Sequence, residues 1–138
     1  MGSMITLQTD CLILGGGLAG WMAAREAAAA GLKTMLLHDG MGASPWVHGF
    51  NVPVYPEDSA DIFLQDTLAS GQGLSDPALA RALCQDAAEV FDEIRAMGLS
   101  FNREKDGSYQ ALRPLGASWP RVVSIGNETG AAILTRLK

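Results

Sequence analysis

Basic charge, cysteine and long apolar runs are all scarce in this chain, and each scarcity removes a class of function. Ten Lys and Arg against 15 Asp and Glu leave a formal net charge of -5 over 138 residues. Such a surface does not attract a phosphate backbone, so nucleic acid is not an expected partner. The two cysteines, Cys11 and Cys84, lie in apolar periodic segments with no CxxC pair or histidine neighbour. That placement argues against both a metal site and a disulfide framework, and reads as two buried thiols in a reducing compartment. No stretch reaches the roughly 20 apolar residues of a membrane span, and no basic segment precedes an apolar one as in a secretory leader. A cytoplasmic protein without direct membrane insertion is the expectation. What is abundant is small and apolar: 48% of residues are hydrophobic and 16 are glycine, enough for one core of ordinary domain size. Met1-Gly2-Ser3 ahead of Met4 reads as an expression scar, leaving residues 4–138 for fold reasoning.

Thr9 to Leu14 is a short apolar run that ends in three glycines, the pattern of a buried strand in a parallel sheet. Trp21 to Ala30 is dominated by alanine and followed by Gly31, which predicts a smooth-sided helix with a C-terminal glycine. Lys33 to His38 is a second apolar run, completing a strand–helix–strand unit with an expected right-handed crossover. Asp39 to Glu57 has no clean period and is read as a long structured loop. Asp58 is expected to cap a helix reaching Ser70, and Asp76-Pro77 to open another. In that second helix Leu79, Leu83, Ala87, Val90, Phe91, Ile94 and Met97 step by three and four toward Gly98, predicting an apolar face. Asp86, Glu89, Asp92, Glu93 and Arg95 supply its solvated face. Asp106-Gly107 predicts a small hairpin, Arg121 to Ile125 a strand, and Asn127 or Thr129 the cap of a last helix still running at Lys138.

Gly15-Gly16-Gly17-Leu18-Ala19-Gly20 satisfies GxGxxG between a strand and a helix, the context in which that motif carries a mechanism. Gly15 permits the tight turn, Gly17 leaves room for a pyrophosphate, Gly20 lets helix and strand approach, and the helix N-terminus offers free N–H groups to the anion. A dinucleotide is therefore expected. At the end of the second strand, where an acidic side chain usually meets a ribose, the chain has His38, with Asp39 one step later. Either Asp39 or a ring nitrogen of His38 is placed to bond the ribose, unless His38 is simply an exposed strand end.

Several further segments follow in fixed order. They are Gly42-Ala43-Ser44-Pro45-Trp46-Val47-His48-Gly49-Phe50, Asp58-Ser59 with Asp66-Thr67, Ala69-Ser70-Gly71-Gln72-Gly73, Gly98-Leu99-Ser100-Phe101-Asn102-Arg103, Pro120-Arg121, and Gly126-Asn127-Glu128-Thr129-Gly130. Together with the glycine loop they resemble the family of succinate dehydrogenase and fumarate reductase flavoproteins and L-aspartate oxidase. The resemblance spans almost the whole chain. It implies an α/β fold, a partial Rossmann-like FAD-binding domain in which the βαβ unit is followed by helices and a small hairpin. Residues 4–138 would form the N-terminal part of an FAD/NAD(P)-binding domain, incomplete at the C-terminus. The resemblance also implies that Ser44, His48 and Gly49 run along a flavin, joining Gly15, Gly16, Gly17, Leu18, Ala19, Gly20, His38, Asp39 and Gly40 as cofactor-binding candidates.

The chain departs from the family pattern at His48 (usually Gln), Phe50 (usually Gly), Phe63 (often His) and Ala117 and Trp119 in a segment where His-Ser is typical. Ala43 stands where respiratory members carry the histidine that bonds flavin, so noncovalent FAD is expected. The implied activity is hydride transfer with a dicarboxylate or amino-acid substrate. The family's catalytic residues lie beyond Lys138, so no catalytic residue is assigned; His48 is read as a loop histidine bonding backbone or cofactor rather than a reacting group. The alternatives are a noncatalytic flavin-binding subunit completed by a partner chain, and an NAD-binding protein resting on GxGxxG alone. Two parallel strands with free edges also predict a homo-oligomer or a partner subunit.

Overall fold

The computed structural model describes residues 6–138; Met1-Gly2-Ser3, read above as a scar, lie outside them. Strand β1 (Cys11–Leu14), helix α1 (Leu18–Ala29) and strand β2 (Thr34–Leu37) form a βαβ unit. Its two strands pair in parallel, with Cys11 opposite Thr34 and Leu14 opposite Leu37. One face of this sheet meets α1. The other is bare, with Leu12 54%, Leu14 72% and Leu37 60% exposed, and Cys11 is half-buried rather than buried.

α1 begins three residues earlier than the alanine run suggests. Gly17 is its N-cap in extended conformation, so the glycine loop feeds directly into the first turn.

The long loop after β2 contains a turn of 3-10 helix, Ser44–Trp46, and a two-residue strand β3, Phe50–Asn51. Neither is long enough to imprint a period on the sequence. Helix α2 spans Ala60–Ser70, and its N-cap is Ser59, whose hydroxyl accepts from the Ile62 amide. Asp58, expected to be the cap, instead reaches into the interior to meet Arg121.

Helix α3 spans Pro77–Ala96, opened by Asp76, whose carboxylate accepts from the Ala78 and Leu79 amides. Its buried stripe is Ala80, Cys84, Ala87, Phe91 and Ile94. Leu79 and Leu83 stay exposed, because the stripe that faces α2 is the one bearing the small residues that let the helices approach. Beyond α3, Gly98 takes a positive φ of +83° as the C-terminal glycine.

The hairpin expected around Asp106-Gly107 is present as a single antiparallel bridge between Arg103 and Tyr109. Asp106 fastens its turn by accepting from the amide and hydroxyl of Ser108. Strand β4 (Ala111–Leu112) then joins β5 (Val122–Val123), and β5 is the middle strand of a second sheet ordered β3-β5-β4. α4 spans Thr129–Leu137 with no side-chain cap, so neither Asn127 nor Thr129 plays the expected capping role.

The core lies between α2, α3 and this small sheet. Phe91 is its hub: it stacks on Phe50 at 5.9 Å and meets Phe101 and Tyr109 edge-on at 4.8 and 5.2 Å. No helix among the described residues is long and apolar enough to cross a membrane.

Candidate functional site

Three segments converge at the amino end of α1: the glycine loop, the end of β2, and the loop from Asp39 to Gly49. Gly15 turns with φ of +117°, a conformation a side chain would strain, and donates its amide to the Leu37 carbonyl at 2.9 Å. Gly20 packs so tightly that a Cβ would run into the Gly15 carbonyl oxygen. At Gly16 a Cβ would lie 2.6 Å from both Gly40 O and His38 Cγ. The glycines are thus required by the chain's own packing as well as by any ligand.

The first turn of α1 presents an anion-binding arrangement. Ser44 Oγ accepts the Leu18 amide at 3.0 Å. Having accepted, the hydroxyl keeps its own hydrogen to donate. Among the described residues the Ala19 and Gly20 amides have no acceptor, and unpaired N–H groups at a helix N-terminus are the standard ligands of a phosphate. The set fits a dinucleotide: a side-chain-free cradle, amide donors on the positive end of a helix dipole, and one hydroxyl.

His38 and Asp39 stand exposed at the end of β2. The His38 ring lies 6.4 Å from that of Trp21, edge to face, and beside Gly16. Trp21 Nε1 is buried without a partner among the described residues. His48 is exposed, and its Nδ1 lies 3.2 Å from the Asn127 carbonyl oxygen. Gly49 sits against β5, where a Cβ would strike the Val122 side chain. Trp46, in the same loop, is 76% exposed. The cofactor-binding candidates of the sequence therefore fall into one neighbourhood, with the glycine loop at one end and the Ser44–Gly49 loop at the other.

A buried ionic brace has no counterpart in the sequence reading. The Arg121 guanidinium donates to both Asp58 oxygens at 2.7 and 2.8 Å and to Asp66 at 2.6 Å. Asp66 in turn accepts from the amide and hydroxyl of Ser118, and the Phe63 ring lies 5.0 Å from the guanidinium carbon. Burial works against charge on Asp66, but the Ser118 bonds and the Arg121 cation outweigh it and hold its carboxyl below the usual 3.8. Burial likewise opposes charge on Arg121, and its two aspartates more than offset that. The brace joins the start and middle of α2 to β5. The Asp-Ser, Asp-Thr and Pro-Arg segments are thus three parts of one structural unit. Their fixed order in the sequence is the available signal, but nothing local shows that they meet.

A parallel βαβ unit whose glycine loop opens a helix with free amides defines a dinucleotide-binding α/β protein. The chain belongs to the FAD binding domain family, whose model matches residues 10–138. It is 31% identical to a chain of the CoM/CoB fumarate reductase of Methanothermobacter marburgensis over 140 residues, which is 95% of this chain and 25% of that protein. It is equally similar, at 31% over 134 residues, to the chloroplastic L-aspartate oxidase of Arabidopsis thaliana, covering 95% of this chain and 21% of the relative. Among solved structures, FrdA of E. coli quinol fumarate reductase superposes with a TM-score of 0.88 at 26% identity, over 97% of this chain and 24% of FrdA. The Mycobacterium smegmatis Sdh1 complex in its apo form matches with a TM-score of 0.85 at 26% identity, over 94% of this chain and 23% of that one. The chain therefore spans about a quarter of the length of the relatives it matches.

Proposed function

We propose that this chain is the N-terminal FAD-binding part of a flavin-dependent oxidoreductase that transfers hydride to or from a dicarboxylate or amino-acid type substrate. The observation that carries the reading is the first turn of α1, where two amides without acceptors stand beside Ser44. In this assignment residues Gly15 to Gly20 and the hydroxyl of Ser44 hold the pyrophosphate. His38, Asp39 and Gly40 take the adenosine ribose, and His48 and Gly49 run beside the flavin. When bound, FAD supplies the hydride-transfer chemistry; the residues of this chain bind and orient it. No residue here is assigned to catalysis. The small side chain of Ala43 supports noncovalent attachment, since it offers no atom to bond a flavin carbon. The kinds of protein named among the relatives, fumarate reductase and L-aspartate oxidase, support the substrate class.

The bare face of the β1–β2 sheet supports a further element of the proposal, that this chain associates with a second copy or a partner subunit.

The visible spectrum of the purified chain supplied with FAD, recorded before and after acid precipitation, tests the cofactor assignment. Flavin bands that co-purify and then pass to the acid supernatant are expected. Bands retained in the pellet would contradict noncovalent binding, and a colourless protein in excess FAD would contradict the assignment of the site to this chain alone.

A further inference from the structure

Ser44 faces α1 from a loop that has almost no regular structure to hold it. Its internal bonds are local, from Trp46 to Ala43 and from Val47 to Ser44. Two of its carbonyls are held from elsewhere, by two consecutive residues at the start of α4. Thr129 Oγ1 donates to the His48 carbonyl at 2.7 Å and accepts the Ile125 amide at 3.0 Å. The Gly130 amide donates to the Val47 carbonyl at 2.8 Å. A Cβ at Gly130 would collide with Ser44 O and lie 2.9 Å from Val47 Cβ, so the loop backbone rests directly on α4.

Thr129 is fully buried, at 0% exposure, and it does not serve its own helix, which has no side-chain cap. Its hydroxyl is committed instead to a contact 81 residues away in sequence. A buried irregular segment needs partners for its carbonyls, and a threonine whose donor and acceptor are both used provides one while tying the loop to the end of β5. We propose that Thr129 is a positioning residue: it locks the Ser44–Gly49 loop against α4 and thereby holds the Ser44 hydroxyl over the N-terminus of α1. The inference rests on the reading of that loop as part of the FAD site, and its structural half can be measured without cofactor.

The test compares the full chain with Thr129→Val, which keeps the volume and removes the hydroxyl, and Thr129→Ser, which keeps the hydroxyl. Amide hydrogen exchange is read in the loop, at Ile125 and Gly130, and in α3 as an internal reference; FAD affinity is read by fluorescence titration. Thr129→Val is expected to raise exchange about tenfold in residues 44–49 and at Ile125, leave α3 unchanged and weaken FAD by about tenfold, the scale of one buried hydrogen bond left unmade. Thr129→Ser is expected to restore both. Loop exchange unchanged in Thr129→Val, or a Ser variant as impaired as the Val variant, would overturn the proposal. Exchange raised throughout α3 as well would also overturn it, by showing that the hydroxyl supports the fold at large rather than the loop. If the wild-type chain took up no FAD, the flavin reading would fall, while raised loop exchange in Thr129→Val would still support the lock.

Discussion

Ser44 contributes through a hydroxyl that accepts from α1 and has a hydrogen left to give. Removing it in Ser44→Ala leaves the Leu18 amide without its acceptor. FAD affinity is expected to fall by about 1 kcal/mol, roughly fivefold, in a direct titration; unchanged affinity would place the pyrophosphate elsewhere. Arg121 is the opposite kind of residue, important to the fold and far from any proposed ligand. Its side chain and that of Asp58 are 1% and 0% exposed, so Arg121→Met leaves one wholly buried carboxylate and a second, on Asp66, without their cation. The expected loss of unfolding free energy is about 3–5 kcal/mol by chemical denaturation. Asp66 adds a pH dependence whose sign is set by its lowered carboxyl. A carboxylate titrating lower in the folded than in the unfolded chain stabilises fully above its ordinary 3.8. That contribution disappears as pH falls below 3.8 and through the lower folded value. The melting temperature is therefore expected to drop on acidification in this window, and less steeply in Asp66→Asn.

At the scale of elements, α3 is readable because twenty residues repeat the same signals: an Asp-Pro start, three-and-four spacing, and a terminal glycine. Even there the buried stripe lies one position away from Leu79 and Leu83. Periodicity shows that a face is apolar, whereas the neighbour that packs against it decides which apolar residues are covered. Asp76→Ala is expected to cost about 1 kcal/mol of stability without touching FAD affinity, measured by thermal melts and titration side by side. The shorter elements are illegible for a physical reason. β3, β4 and β5 are two residues each, too short for alternation to register, and they exist because a partner strand is supplied from far away in the chain. Asp58 and Ser59 are both good capping residues, and only the distant Arg121, 63 residues on, decides between them. Thr129 resembles a cap in the sequence for the same reason: its true partner is the carbonyl of His48 in another loop. The glycine loop is legible because each of its constraints is local, between residues that follow one another in the chain.

For the molecule as a whole, the two sheets are finished to different degrees. The β3-β5-β4 sheet is packed under α3, with Val123 at 0% exposure, whereas the β1–β2 sheet leaves three leucines on an open face. Such a face favours association. Light scattering is expected to show concentration-dependent self-association of the chain, and Leu12→Lys with Leu14→Lys to shift it toward monomer; a wild-type monomer at all concentrations would contradict the expected contact. The cofactor neighbourhood lies on the same βαβ unit, so the glycine loop is carried by the less covered part of the molecule and braced by the more covered part through Thr129 and Gly130.

The central claim, that FAD is held between the α1 N-terminus and the Ser44–Gly49 loop, is most directly tested by mapping amide chemical shifts of the labelled chain during an FAD titration. Saturable shifts concentrated at Gly15 to Gly20, His38 to Gly40 and Ser44 to Gly49, with the amides of α3 still, are predicted. Shifts that saturate elsewhere, or none in these three segments at saturating FAD, would contradict it.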